Sequence, residues 1–428
     1  LRRRVRLSAK PSADTLGLMG EKIKAPRGTF DALPDSQGAR QAIGDISREL
    51  LESAGYGRIE TPDFEQTDLF TRGVGESTEV VQKQMFTFTD QGGRSLTLRP
   101  EGTAPVCRAY IEHGMQKWPQ PVKLWYSGPF FRHERPQAGR FRQFTQVGAE
   151  SIGSDSPLVD AELVVLVWDI LSELGVQGIE LRLGSLGSIA ARAAYLDRLR
   201  AHLRKHEDAL SAEVRERIDL NPLRAFDAAD EGTREVMAGA PRLLESLEGE
   251  DVEHFESVRA LLDRSGVPYE VDDTMVRGLD YYTRTVFELH SPALGAQSQV
   301  GGGGRYDGLI GHLGGPPTPA AGWALGVERL ALAMGQAAPE PAVDVFIVAG
   351  EEDRERALQL AIELRRAGVA ADLDLAGRSN KGQMKQADRS GAAQAVILED
   401  GRATLRDMGS GEQREVDMAA VAQELGRR

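Results

Sequence analysis

The residues of this chain best able to do chemistry cluster at 130–150, FFRHERPQAGRFRQFTQVGAE. Over 130–146 Arg132, Arg135, Arg140 and Arg142 stand against a single Glu134, in a chain whose net charge is −13. Arginine forks match phosphate oxygens two at a time, which lysine cannot do. Surface hairpins are often charged as well, so charge alone does not decide. Phe144, set among these polar residues, turns the reading toward a nucleotide, with phosphates on arginine and a base stacked on the ring.

Other candidates lie elsewhere in the chain. Glu101 and Thr103 flank a glycine in RPEGT at 99–103. They could hold a small ammonium group, or they could cap a helix, since Pro105 suits a first helical turn. Tyr281 and Tyr282 follow Arg277-Gly278. Adjacent tyrosines on one short element put hydroxyls on both faces, and buried hydroxyls need partners; this is a polar pocket wall or a hydrogen-bonded core. Arg329 falls in the first turn of a helix, against the usual charge preference. A bound anion would explain it; the alternative is a tolerated surface arginine. His202 and His206 sit four apart and could bind a metal, but no third ligand is evident, and a solvated helix face is the better reading. Gly301, Gly302, Gly303 and Gly304 fit neither a P-loop nor G-x-G-x-x-G, and are read as backbone making room for a ligand.

The elements that must position these groups follow from turn chemistry and periodicity. RPQAG at 135–139 predicts a hairpin tip, entered through a strand at 122–126. On the return strand, alternation puts Arg142, Phe144, Gln146, Gly148 and Glu150 on one side. Phe141, Gln143, Thr145, Val147 and Ala149 take the other, packed side. The spacing predicts helices over 36–54 and 160–174, and strands at 57–61, 179–183 and 267–271. A hairpin at 85–98 turns on DQGG. Strands are predicted for 283–289 and 299–304, and 322–326 is a small-residue strand running into a helix. From 188 to 262 the composition becomes charge-dense with helical spacing, a helical module inserted between strands. Beyond a linker at 336–341, strands and helices alternate at 343–348, 351–367, 370–375, 381–390, 395–398 and 417–425. That pattern implies a small α/β domain on a mixed sheet. Arg378, Lys381, Lys385 and Arg389 against Asp388 make a local phosphate footprint there.

Composition sets the bounds. A chain of 428 residues accommodates two or three domains. The single Cys107 excludes a disulfide framework and a cysteine zinc cluster, and suits a reducing compartment. No apolar run reaches the ~20 residues of a membrane span. The acidic balance argues against indiscriminate nucleic-acid binding but permits local basic patches. Residues 1–21 carry an arginine-bearing, acid-poor leader. It could be a transit peptide, but its weak apolar spacing favours a disordered extension.

Taken together, three stretches resemble motifs one, two and three of class II aminoacyl-tRNA synthetases: a helix and strand ending in Pro62, the FRHE-to-GAE hairpin, and GWALGVERL. The forms LRPEGT, FRHERPQAGRFRQF and RGLDYY resemble those of the histidyl-tRNA synthetase family in particular. The resemblance implies an α+β fold: a six- or seven-stranded antiparallel sheet with flanking helices over 22–341, a helical insertion at 188–262, and an α/β anticodon-binding domain over 342–428. It implies a cytoplasmic homodimer, joined through the motif-one helix and strand. That dimer would activate L-histidine with ATP and pass it to the 3′ end of tRNA(His), with Mg2+ on the ATP and neither zinc nor an organic prosthetic group. Arg132 would hold the α-phosphate, Glu134 would orient ATP, Phe144 would stack on adenine, and Arg140 and Arg329 would meet the outer phosphates. Glu101, Thr103 and Gln146 would receive the α-ammonium of histidine. Glu150 and Tyr282 would bind the imidazole edge, with Tyr281 beside them, and Arg277 would stabilise charge on the α-phosphate. At the tip, Arg135 and Gln137 are candidates for the tRNA acceptor end. The resemblance also admits a rival, a histidine-binding regulatory subunit of ATP phosphoribosyltransferase. Such proteins usually lack the last domain and lose motif residues.

Overall fold

The computed structural model describes residues 22–76, 78–275, 278–295, 298–335 and 343–425. The leader at 1–21 and Arg277 lie outside the described residues. The chain divides into two units, Leu1–Gln336 and Ala337–Arg428.

In the first unit, α1 (Gln37–Ser53) leads to β1 (Gly57–Arg58), β2 (Phe64–Gln66) and α2 (Thr67–Val74). Then come β3 (Phe86–Thr89), β4 (Ser95–Leu98), α3 (Thr103–Glu112), β5 (Val122–Phe131), β6 (Gln143–Ile152), α4 (Pro157–Glu173) and β7 (Glu180–Ser185). A helical run follows: α5 (Ile189–Lys205), α6 (Ala212–Arg217), α7 (Glu231–Ala238) and α8 (Glu250–Ser265). The unit closes with β8 (Glu270–Val271), β9 (Thr283–His290), β10 (Gln299–Arg305), α9 (Leu309–His312), β11 (Ala320–Gly326) and α10 (Val327–Met334).

The main sheet has eight strands in the order β1-β5-β6-β11-β10-β9-β7-β8. The six long strands pair antiparallel, as the resemblance implies. The two extra strands are two-residue edges that pair parallel with β5 and β7. Beside it β2, β4 and β3 make a small antiparallel sheet.

Alternation along β6 separates a packed face from a working face. Val147 and Ala149 are buried with Trp125, Trp323 and Phe287 against α1, α4 and α8. Gln146 and Glu150 face the other way, where α3 and the tyrosines pack. The helical run is not uniform: α5 joins that second cluster, whereas Phe255, Val258 and Leu262 of α8 belong to the core beneath the sheet. Arg305 of β10 is fully buried and donates to Asp160 of α4 and to the Ser154 carbonyl at 2.9 Å. His254 of α8 faces the same carboxylate at 3.4 Å.

In the second unit β12 (Val345–Ala349), α11 (Arg354–Arg366), β13 (Ala371–Leu373), α12 (Asn380–Arg389) and β14 (Gln394–Glu399) alternate as predicted. A hairpin that periodicity did not indicate, β15 (Arg402–Asp407) and β16 (Gln413–Val416), precedes α13 (Met418–Leu425). The sheet is mixed, ordered β13-β12-β14-β15-β16.

Candidate active site

The β5–β6 hairpin pairs Phe130 with Phe144 and Phe131 with Gln143. Beyond it, Gln137 and Arg140 form a two-residue bridge, and Gly139 takes φ +70°. A Cβ on Gly139 would stand 3.0 Å from Leu332 and 3.3 Å from the Arg329 side chain. The tip therefore folds back onto α10, and two arginines far apart in sequence, Arg140 and Arg329, become neighbours. Burial pulls the Arg329 pKa down, and the nearby charge of Arg140 pulls it further. Glu134 lies between Arg132 at 3.9 Å and Arg140 at 3.6 Å. The Arg132 Nε donates to the Pro100 carbonyl at 2.8 Å, and its guanidinium sits 5.4 Å over the Phe144 ring. Three arginines around one carboxylate make an anion site with an aromatic wall.

These side chains line a cavity of about 500 Å³, together with Glu101, Thr103, Gln146, Tyr281 and Tyr282. Glu101 fulfils both sequence readings at once. Its carboxylate accepts the backbone N–H groups of Thr103 at 2.8 Å and Ala104 at 2.9 Å, capping α3, and it also faces the cavity. Burial raises its pKa, and those two N–H groups oppose the rise. The buried amide oxygen of Gln146 has no hydrogen-bond partner among the described residues. A cavity-lining acceptor of this kind suits an incoming N–H donor.

Two sequence expectations are corrected here. Arg142 does not share the face of Phe144, because β6 begins only at Gln143. Its backbone N–H donates to the Gly28 carbonyl at 2.7 Å, and its Nε to that of Glu134 at 3.4 Å. Nor do Tyr281 and Tyr282 point to opposite faces of a strand. They leave a turn, with ring centroids 4.8 Å apart, and both rings line the cavity.

Glu150 is fully buried and is not among the lining residues. Its register on β6 places it opposite Gly322 of β11. One oxygen accepts from Thr103 Oγ1 at 2.7 Å and from the Tyr126 hydroxyl at 3.3 Å, and the other accepts from the Tyr306 hydroxyl. Desolvation pushes its pKa up to about 8, although the hydroxyls from Tyr306 and Thr103 oppose the rise.

A family model for histidyl-tRNA synthetase matches residues 28–330, about seven-tenths of the chain, and spans every cavity-lining side chain. The chain belongs to the histidyl-tRNA synthetase family. A family model for an anticodon-binding domain matches residues 343–428. The histidine–tRNA ligase of Rubrobacter xylanophilus is 49% identical over 409 residues, covering 92% of this chain and 96% of that one. The structure of apo S. aureus histidyl-tRNA synthetase superposes with a TM-score of 0.80 at 38% identity, covering 95% of this chain and 100% of that one. An ATP phosphoribosyltransferase regulatory subunit/histidyl-tRNA synthetase from Bacillus halodurans matches with a TM-score of 0.66 at 25% identity, covering 89% and 98%.

Arg135 and Gln137 are exposed at the hairpin tip. In the second unit Arg378 pairs with Asp374 at 2.5 Å, and Lys381, Lys385 and Arg389 lie on α12. His202 meets the Val236 carbonyl at 2.9 Å, and no cluster of three metal-binding side chains occurs among the described residues.

Sequence reasoning missed several residues. Glu328, in the first turn of α10, accepts the Thr145 N–H with both oxygens and Arg40 Nη1 at 2.8 Å. Tyr126 and Tyr306 hold Glu150, and Glu288 lines the cavity. Only the adjacency of Glu328 to Arg329 hinted at any of these.

Proposed function

We propose that this chain activates L-histidine with ATP, forming histidyl-adenylate and pyrophosphate, and then transfers histidine to the 3′ end of tRNA(His). The observation that carries this is one cavity joining an arginine-and-phenylalanine anion site to a second polar group. That second group consists of Glu101, Thr103, Gln146, Tyr281 and Tyr282.

Arg132 would hold the α-phosphate, and Arg140 and Arg329 the outer phosphates, with Phe144 against adenine and Glu134 orienting the nucleotide. Positive charge fixed where negative charge accumulates lowers the barrier to adenylate formation. The α-ammonium would meet Glu101, Thr103 and the unpartnered Gln146 oxygen. Tyr281 and Tyr282 would offer hydroxyls to the imidazole, and Glu150 would set the polarity of that end from behind Thr103 and Tyr126. A site built to satisfy both ring nitrogens rejects side chains lacking them by ~10⁴–10⁵, because its own polar groups would stay unpaired.

Magnesium fits this lining as an ion carried on ATP. Glu134 and Glu288 are separate carboxylates, and Mg2+ characteristically takes one or two carboxylates plus substrate phosphates. It would neutralise phosphate charge. Arg277 would stabilise charge on the α-phosphate. Arg135 and Gln137 would contact the acceptor end of tRNA, and Arg378, Lys381, Lys385 and Arg389 would contact tRNA from the second unit. The chain would work as a cytoplasmic homodimer through α1 and the strand after it. No described helix is long and apolar enough to cross a membrane.

Amino-acid-dependent ATP–pyrophosphate exchange, run with each standard amino acid in turn, tests the reading. Exchange with histidine alone is expected. Exchange with another amino acid would overturn the pocket assignment. Histidine binding with no exchange at all would favour the regulatory-subunit reading.

A further inference from the structure

The helical run between β7 and β8 leaves and re-enters the unit beside the segment that carries Tyr281 and Tyr282. From α5, Arg192 Nη1 donates to the Asp280 carbonyl at 3.1 Å and to the Tyr282 carbonyl at 2.9 Å. These are the peptide oxygens that bracket the Tyr281–Tyr282 pair. The guanidinium is largely desolvated, which lowers its pKa, and its Nε is buried with no hydrogen-bond partner among the described residues. A partly buried cation is thus held against main-chain oxygens, whose hydrogen bonds offset part of its desolvation cost.

A second tie lies two residues further on. Arg284 takes φ +45°, a conformation that side-chain-bearing residues rarely adopt. It is held there by its backbone N–H donating to the Gly187 carbonyl at 2.7 Å and by the Leu186 N–H donating to its carbonyl at 2.7 Å. Asp251, in the first turn of α8, accepts from Arg284 Nε at 3.3 Å and from the Ser188 N–H at 3.0 Å. The start of α5 and the start of α8 are therefore both bonded to residues flanking the tyrosine pair.

We infer that Arg192 is a positioning residue for the histidine pocket: it sets Tyr281 and Tyr282 through their backbone, from outside the cavity. Selection of the imidazole then depends on a helix that never touches the substrate. This inference rests on the histidine–tRNA ligase reading.

The test is histidine-dependent ATP–pyrophosphate exchange by the full chain, comparing wild type with Arg192→Ala, Arg192→Lys and, as a control on the exposed side of α5, Arg198→Ala. Arg192→Ala is expected to raise KM for histidine about tenfold with KM for ATP within about twofold, and Arg192→Lys to recover most of that loss. Arg198→Ala should match wild type. An unchanged KM for histidine, or equal rises for both substrates, overturns the inference and points to a purely structural role. If Arg192→Ala does not fold, Arg192→Gln, which keeps a long polar side chain but no guanidinium, decides by the same split between the two KM values. Absence of exchange in the wild type would remove the ligase reading itself, and this inference with it.

Discussion

The Glu150 Oε2 lies 1.7 Å from the point where a Cβ on Gly322 would stand. The carboxylate thus occupies space that exists only because β11 carries a glycine opposite it. Gly322→Ala must push Glu150 away from Tyr306 and Thr103. The expected result is a folded protein, less stable by about 1–3 kcal/mol, as overpacking of a filled site typically costs. Its kcat/KM for histidine should fall far more than its KM for ATP rises. Exchange kinetics and a thermal melt check both parts.

Arg329 and Arg140 meet only because Gly139 lets the tip close on α10. Removing either guanidinium should remove charge-assisted bonds to the outer phosphates, each worth about 1.5–3 kcal/mol. Arg329→Ala is expected to raise KM for ATP about tenfold or more with KM for histidine little changed. An equal rise in both would show that Arg329 organises the cavity rather than the nucleotide.

Glu150 also predicts a pH dependence. Its pKa rises from the ordinary 4.5 to about 8 in the folded chain. Between those values the folded state binds more protons than the unfolded state, so this group's contribution to stability falls as pH rises through that window. The contribution is on the order of a few kcal/mol. Glu150→Gln, which mimics the protonated form, should flatten the decline in denaturant midpoint between pH 5 and pH 8. A slope equal to that of wild type would show that the carboxyl is ionised in the fold.

The buried pair of Arg305 and Asp160 supports the end of β10. Removing Arg305 leaves the Asp160 carboxylate in the core facing His254 alone among the described side chains, and breaking a buried pair typically costs about 3–5 kcal/mol. Arg305→Ala is therefore expected to lower the unfolding midpoint sharply. Arg305→Met with Asp160→Leu should restore much of that loss.

How legible this was in the sequence depended on whether a residue's role was local. Phe144 and Gln146 could be placed by alternation, because period two survives wherever a strand has one packed face. The same rule failed for Arg142, one residue before the strand begins. Tyr306 reaches Glu150 across 156 residues and Arg40 reaches Glu328 across 288, and no periodicity encodes such pairings. Two adjacent tyrosines are an unusual pair in any sequence, but their orientation is set by the turn that precedes them. The β15–β16 hairpin escaped notice because charged residues crowd an edge strand and blur its alternation.

Glu101 caps the start of α3 and faces the cavity with the same carboxylate. A glutamate that becomes ordered only when its ligand arrives gives up about 1.5–2 kcal/mol of rotamer freedom at that moment. Here the two N–H groups of the helix start have already fixed the side chain, so that loss is incurred once, during folding. An ammonium arriving there, as proposed, would meet an acceptor that does not have to be organised. The stability of one helix end and the readiness of the site for its ligand are therefore the same quantity, and a mutation that frays α3 would weaken binding without touching a single contact to the substrate.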